Sequence, residues 1–412
     1  MPNDRSRFAK AGAAVLDQGL SSVASFAASV AVAARLSVAD HGRFAFAIAV
    51  MGLLLGLHQA VIVEPALMHG QGRFRNEPEA HRTEVWRLHA KLMVVIALLM
   101  AVVGGFGATF GGREAMNLAV LALVAPAWLT LNLARRLEFV ALRPERAAQR
   151  AGLFAVAVGL ALGWLMAVQR LTPTSALLAL GGAALLVVLL DVRRIRPEPT
   201  EADMRSEVVG AHRDHAGWAM GATVARWMPL HGAAFLLPMM TEDGFFHAGT
   251  LRTHLLLALP MLQAMSAIGS LSTSVYARRR AEGQPLGLTK SVVGWTTLAL
   301  GYAALLVGFG GVALTALSST PTHLSWRLAM GIVVVVQAPA SLLAGWLLAR
   351  SQSRRLFFAA AGAAIFSLVA TLVLLSRAPA DGAFAAVALA YGAALVGMVV
   401  ASLVTGRGST PS

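Results

Sequence analysis

An arginine sits inside a stretch that otherwise reads as a membrane span: GWAMGATVARWMPLHGAAFLLPMM, residues 217–240, with Arg226 near its middle. One formal charge at bilayer depth costs about 2.5–3.5 kcal/mol on insertion scales, so such a residue faces a protein interior or a water-filled cavity. A guanidinium is permanently charged and offers a planar fork of donors, the geometry that holds a phosphate or diphosphate. Pro229 removes the backbone bond to the carbonyl of Ala225, and Pro238 repeats the interruption, so the sequence predicts a helix bent around Arg226. Broken helices beside a buried charge recur at substrate sites of transporters. The competing role is a structural salt bridge.

A second polar group stands near the N-terminus, where Asp17, Ser21, Ser25 and Ser29 follow at four-residue spacing within an apolar run. That spacing draws a slowly drifting polar stripe down one helix face, suited to lining a hydrated cavity. The serines alone fit close helix packing equally well. A carboxylate needs a partner, so Asp17 is expected to pair with Arg226 or to exchange a proton. His58 and Gln59, His231 and Gln263 are secondary binding candidates, because a lone polar residue in a span more often bonds a neighbouring helix than a substrate. Glu64 and Pro65 lie where a charge can reach the interface. Gly52 and Gly56 fit a helix-packing face.

No nucleophile elbow, phosphate-binding loop, zinc-protease helix or paired carboxylates in one outward loop occur, so no catalytic residues are expected and the chain does not read as an enzyme. The histidines lack metal-ligand spacing, and the absence of cysteine removes disulfides and thiolate metal sites. Neither a metal nor a cofactor is expected.

The elements that must position these residues follow from hydropathy. With 57% hydrophobic residues, 13% charged and a mean hydropathy of +0.68, the chain is an all-α integral membrane protein. A helix needs about 20 apolar residues to cross the hydrocarbon core. Twelve spans meet that measure: 11–34, 44–68, 91–110, 115–133, 151–168, 174–190, 216–240, 253–275, 291–317, 328–349, 356–375 and 384–404. The first run is too long for a signal-peptide core and is read as a membrane helix.

Twelve crossings put both termini and every second loop on one side. Of the 34 Lys and Arg, only Arg35, Arg43, Arg113, Arg170, Arg252, Arg327 and Arg377 fall in loops of the opposite side, and only Arg226 within a span. The rest line the side of the termini, which the positive-inside rule makes cytoplasmic. The net charge of +14 then faces anionic lipid headgroups, and membrane lipids rather than nucleic acid are its partners. The longest polar interval follows the sixth span and divides the chain into an N-terminal six-helix lobe, 1–191, a cytoplasmic linker, 192–215, and a C-terminal six-helix lobe, 216–412. A weak echo joins the halves: RLSVADHGRFAFA from Arg35 and PMMTEDGFFHAGT from Pro238 each place an acid, a glycine and an aromatic in a short outward turn.

The opening LDQGLSSVASFAASVAVAARLSVADHGRFAFAIAV, followed by GLHQAVIVEPALM, resembles the first hairpin of bacterial polysaccharide flippases. These are the O-antigen and teichoic-acid exporters of the multidrug/oligosaccharidyl-lipid/polysaccharide superfamily. Arg35 and Leu36 before the turn, and Gly42 and Phe44 after it, carry the likeness, which covers about the first seventy residues. SVADHG departs from the proline and paired acids common in that turn. The resemblance implies two six-helix lobes around a central cationic cavity lined by the first and seventh helices. It also implies alternating access for an isoprenoid-diphosphate-linked saccharide in a bacterial inner membrane, beside other polysaccharide-assembly membrane proteins. Arg226 would then be a phosphate clamp, with Asp17, Ser21, Ser25, His231, His58 and Gln59 around the cavity.

The alternative is a secondary transporter of small solutes. Against a major-facilitator carrier, the loop after the second span reads HGQGRFRNEPEAHR, without that family's Gly-x-x-x-Asp-Arg-x-Gly pattern. Against a drug-cation antiporter, the charge deep in a span is positive.

Overall fold

With no water in the hydrocarbon core to satisfy backbone groups, the apolar runs close their hydrogen bonds internally as helices. The computed structural model describes residues 4–70, 73–109, 113–141, 143–191, 202–281, 288–318, 320–350 and 352–406, and among them there is no strand. Part of the expected linker, 192–201, and the C-terminal tail lie outside the described residues. Twelve long helices follow in order. The first six are α1 (Asp4–Arg35), α2 (Val38–Gly70), α3 (Pro78–Thr109), α4 (Arg113–Val140), α5 (Pro144–Ala167) and α6 (Pro173–Asp191). The second six are α7 (Ala202–Met240), α8 (Gly244–Ala281), α9 (Leu288–Leu317), α10 (Leu324–Ala349), α11 (Ser353–Arg377) and α12 (Pro379–Gly406).

Ten of them are long and apolar enough to cross a membrane. The other two, α7 and α8, are the helices that carry Arg226, His231, Arg252 and His254. Outward faces are apolar: Leu123, Leu160 and Val312 are 72%, 71% and 71% exposed, a surface made for lipid. This is a multi-pass helical membrane protein.

The chain forms two compact units, and their limits differ from the lobes expected. The first comprises residues 1–36 and 50–220, the second 37–49 and 221–412, so α2 and α7 each contribute to both. In the first unit α4 packs against α3 and α6, and α1 against α5. Its core sets Ile62, Val63 and Ala66 of α2 against Val85 and Trp86 of α3 and Leu133 and Leu137 of α4. In the second, α10 packs against α9 and α12, the same scheme six helices later, and also against α8. There Leu251 and Leu255 meet Met330, Val333 and Val334 with Phe384 and Val387, and Trp326 stacks on Phe384 at 4.7 Å.

Two glycines explain why the start of α2 belongs to the second unit. A methyl on Gly42 would lie 1.8 Å from the carbonyl oxygen of Phe245, and one on Gly249 would lie 1.9 Å from that of Val38. The two backbones cross in a contact that no side chain can enter. The contact is reciprocal: Gly42 faces the start of α8 as Gly249 faces the start of α2. The segments whose sequences echo each other therefore pack directly together.

The helix holding Arg226 is continuous: α7 runs for 39 residues through both Pro229 and Pro238 without ending. A proline within a transmembrane helix is tolerated when neighbouring groups satisfy the freed carbonyl.

Candidate functional site

In the first unit, Asp17 is fully buried, and its partner is Arg135 of α4 rather than Arg226. Nε of Arg135 donates to Oδ1 of Asp17 at 2.7 Å, Nη1 donates to the Ser21 hydroxyl at 2.7 Å, and Nη2 donates to the Asp17 carbonyl at 3.2 Å. Next to it, Nη2 of Arg136 reaches Oε1 of Gln18 at 3.3 Å. The four-residue spacing of Asp17 and Ser21 serves one guanidinium fork. Further along the stripe, Ser25 bonds the carbonyl of Ser22 at 3.0 Å and Ser29 that of Ser25 at 3.1 Å, both back onto their own helix. The stripe thus splits into an ion-pair half and a half turned onto its own backbone.

His58 is buried at the head of a chain of hydrogen bonds through three helices. The Thr130 hydroxyl donates to the Pro126 carbonyl at 2.7 Å, so it accepts from Nε2 of His89 at 2.9 Å. Nδ1 of His89 then accepts from Nε2 of His58 at 3.0 Å. This order fixes both tautomers and leaves Nδ1 of His58 as a buried acceptor without a donor. Gln59, the next residue, opens a π-helical turn, Gln59–Val63, a local widening that recurs at functional sites. Glu64 does more than reach the interface: its Oε2 lies 3.2 Å from Nε2 of His215 at the start of α7.

In the second unit, Arg226 is exposed on α7, and its Nε donates to the Ala222 carbonyl of the same helix at 3.3 Å. His231 is half-buried and stacks on Trp227 at 5.6 Å. The indole of Trp227 donates to the carbonyl of Ala49 at 2.9 Å, and Phe235 joins Trp227 to Phe46.

The buried cation of this unit is one that sequence reasoning placed in an outer loop. Arg252, in the third turn of α8, is only 7% exposed, and among the described residues no carboxylate pairs with it. Its Nε is buried with no hydrogen-bond partner. His41 is itself buried: Nδ1 donates to Thr253 Oγ1 at 2.9 Å, because that hydroxyl gives its own proton to the Gly249 carbonyl, and Nε2 has no partner. His41 is thus tied to Thr253, the residue next to Arg252 in sequence, and two buried nitrogens are left unsatisfied, Nε of Arg252 and Nε2 of His41. Leaving a buried ion uncompensated is costly, and an anion would relieve that cost. The signal in sequence was faint: TLRTHLLL puts Arg252 at the margin of a span, where a charge would ordinarily reach water.

No protein-family model matches this sequence, and no curated protein matches it either. Solved structures do match in fold. One is an inward-facing multidrug resistance MATE family transporter of the MOP superfamily, with TM-score 0.69 and 14% identity over 97% of this chain and 100% of the other. A second is the lipid II flippase MurJ in an inward closed conformation, with TM-score 0.71 and 10% identity over 96% of this chain and 87% of the other. A third is a MOP superfamily transporter from Pyrococcus furiosus described as having a binding pocket of reverse polarity, with TM-score 0.64, 13% identity and 96% coverage of both chains. At these identities the likeness establishes a shared fold, that of two-lobe helical membrane transporters.

Proposed function

We propose that the protein is an alternating-access flippase that carries an isoprenoid-diphosphate-linked saccharide from the cytoplasmic to the outer leaflet of the inner membrane, with both termini cytoplasmic. The observation that carries this reading is Arg252, a buried guanidinium with no carboxylate partner among the described residues, beside Thr253, which holds the buried His41. An arrangement of that charge favours an anionic substrate group, and a diphosphate offers the acceptor oxygens that a guanidinium fork and imidazoles can share. Arg226, exposed on α7, remains a candidate second phosphate contact. Asp17 and Ser21 hold Arg135, and His58 braces its helix against His89, while Ser25 and Gln59 contribute polar lining in the first unit. The fold shared with a lipid II flippase is compatible with this reading. Other polysaccharide-assembly membrane proteins are its expected neighbours.

The fold shared with multidrug transporters supports a second reading, export of small solutes. For an organic cation the charges oppose it: Asp17 is already neutralised by Arg135, and Arg252 would repel the substrate. Reconstitution in liposomes with labelled isoprenoid-diphosphate saccharides, beside a panel of small cations, separates the two. Translocation of the lipid supports the flippase, and transport of a cation without the lipid overturns it.

A further inference from the structure

The second unit carries an apolar groove on the face formed by α11 and α12, with Ile332 of α10 at its side. It is an open groove of about 970 Å³ on the helix surface. The groove runs from Arg355 and Val404 at one end to Phe366 and Ala388 at the other. Gly362 and Gly392 form part of its floor, and a methyl added to either would meet no atom within 4 Å, so both point into open space. Among its lining residues Arg355 is the charged one.

We infer that this groove is a binding site for an anionic glycerophospholipid, with the phosphate at Arg355 and one acyl chain along Gly362 and Gly392. Three observations carry the assignment, and none depends on which substrate the protein moves.

The first is length. From Arg355 to Phe366 along α11 is about 17 Å, and from Ala388 to Val404 along α12 about 24 Å, at the rise of an α-helix. One leaflet of hydrocarbon is about 15 Å deep. The α11 wall is thus about one leaflet deep, enough to seat one acyl chain, and the α12 wall runs on beyond the bilayer midplane.

The second is charge. The guanidinium stands at the headgroup end, the end that the arginine distribution assigns to the cytoplasmic leaflet, where anionic lipids concentrate. Its five donors let it serve a phosphate in addition to contacts within the protein.

The third is the surrounding belt. At the same end, Arg350 lies over the ring of Trp346 at 4.1 Å and Arg354 over Phe358 at 5.7 Å. Paired aromatic and basic side chains of this kind mark the membrane interface and fix the depth of the groove.

The test uses the full chain, purified in mild detergent, incubated with phosphatidylglycerol or phosphatidylcholine and examined by native mass spectrometry for retained lipid. Wild type should retain phosphatidylglycerol about fivefold better, the value of one basic residue at an anionic headgroup. Arg355→Gln should abolish that preference while lipid is still held. The double variant Gly362→Leu/Gly392→Leu should lose retention of both lipids. Leucine is the better helix former, and its melting temperature checks that the fold is intact. Gly301→Leu, on α9 and equally unobstructed, should change nothing. Unchanged retention in the folded double variant overturns the site, as does equal retention of the two lipids by wild type. Displacement of phosphatidylglycerol by a long-chain isoprenyl phosphate, lost in the double variant, would reassign the groove to an isoprenoid tail and overturn the phospholipid assignment.

Discussion

Arg252→Gln separates a ligand-binding arginine from a structural one by the sign of its effect on stability. Removing one member of a satisfied buried ion pair typically costs about 3–5 kcal/mol, because the other charge is stranded. Among the described residues Arg252 has no carboxylate partner to strand, and its buried Nε has no hydrogen-bond partner. Replacing the ion with a neutral amide of similar reach should therefore raise the melting temperature of the empty protein. An insertion cost of about 2.5–3.5 kcal/mol for arginine at the centre of a membrane helix sets the upper bound of that gain. The same change should weaken binding of an isoprenoid diphosphate by about 1.5–3 kcal/mol, the value of a hydrogen bond to a charged group, or roughly 10- to 150-fold in Kd. Arg252→Lys keeps the charge without the fork and should fall between. Wild type should also gain stability from the ligand, about 2.7 kcal/mol at a hundred times its Kd, and the glutamine variant should gain little at the same concentration. Thermal unfolding and lipid binding on one purified sample read both quantities. A glutamine variant that melts lower and binds as tightly as wild type would refute the reasoning.

Asp17→Asn should destabilise the first unit by about 3–5 kcal/mol, because Arg135 is left buried beside a neutral amide; Asp17→Asn/Arg135→Met should recover part of that loss, and strictly additive losses in a double-mutant cycle would rule out the pair. Topology can be read with single cysteines, since the chain contains none of its own: Thr172→Cys and His323→Cys should react with an impermeant thiol reagent outside intact cells, and Asn76→Cys and Glu77→Cys should not. Reversed labelling would overturn the cytoplasmic termini. Burial holds the pKa of His212, on the polar start of α7, below its ordinary 6.5, so the packed state binds fewer protons than the open one. Packing of this segment is fully retained above that pH and weakens as pH falls below it, which hydrogen exchange across residues 204–211 should register as lost protection in wild type but not in His212→Gln.

Hydropathy carries the reading of ten of the twelve helices, because a run long enough to cross the bilayer has few other ways to satisfy its backbone; α7 and α8 are diluted by arginine, histidine and other polar residues. Their grouping was less legible. The division into two units departs from the loop map because Gly42 and Gly249 bring α2 onto α8, and a glycine in sequence does not announce which backbone it will meet. Site residues divide along the same line. The four-residue spacing of Asp17 and Ser21 was visible, and it does present both to one partner; that the partner is Arg135 depends on how α1 and α4 pack. Arg135 reads from sequence as one more arginine in a basic loop, just as Arg252 reads as one more at a span margin.

The two most buried arginines of these clusters differ in a way that bears on what can be transported. Arg135 is 4% exposed and matched by Asp17; Arg252 is 7% exposed and matched by no carboxylate among the described residues. Equal burial with unequal compensation means that the first unit's cluster is electrically matched, whereas Arg252 in the second carries a charge that no carboxylate among the described residues offsets. Burying a charge without a counter-ion is tolerated where function requires it, and rarely elsewhere, because each such group draws on a folding margin of about 5–15 kcal/mol. The histidines sharpen the point. Both tautomers of the His58 and His89 pair are fixed by an acceptor chain ending at the Pro126 carbonyl, so that pair is a neutral structural strut between helices. His41 ends instead in a free nitrogen beside a guanidinium. An anion entering there can be met by the fork of Arg252, while the Nδ1–H of His41 is committed to Thr253. Arg252→Gln should therefore weaken diphosphate affinity more than His41→Gln does, and equal losses in one binding assay would refute that ranking.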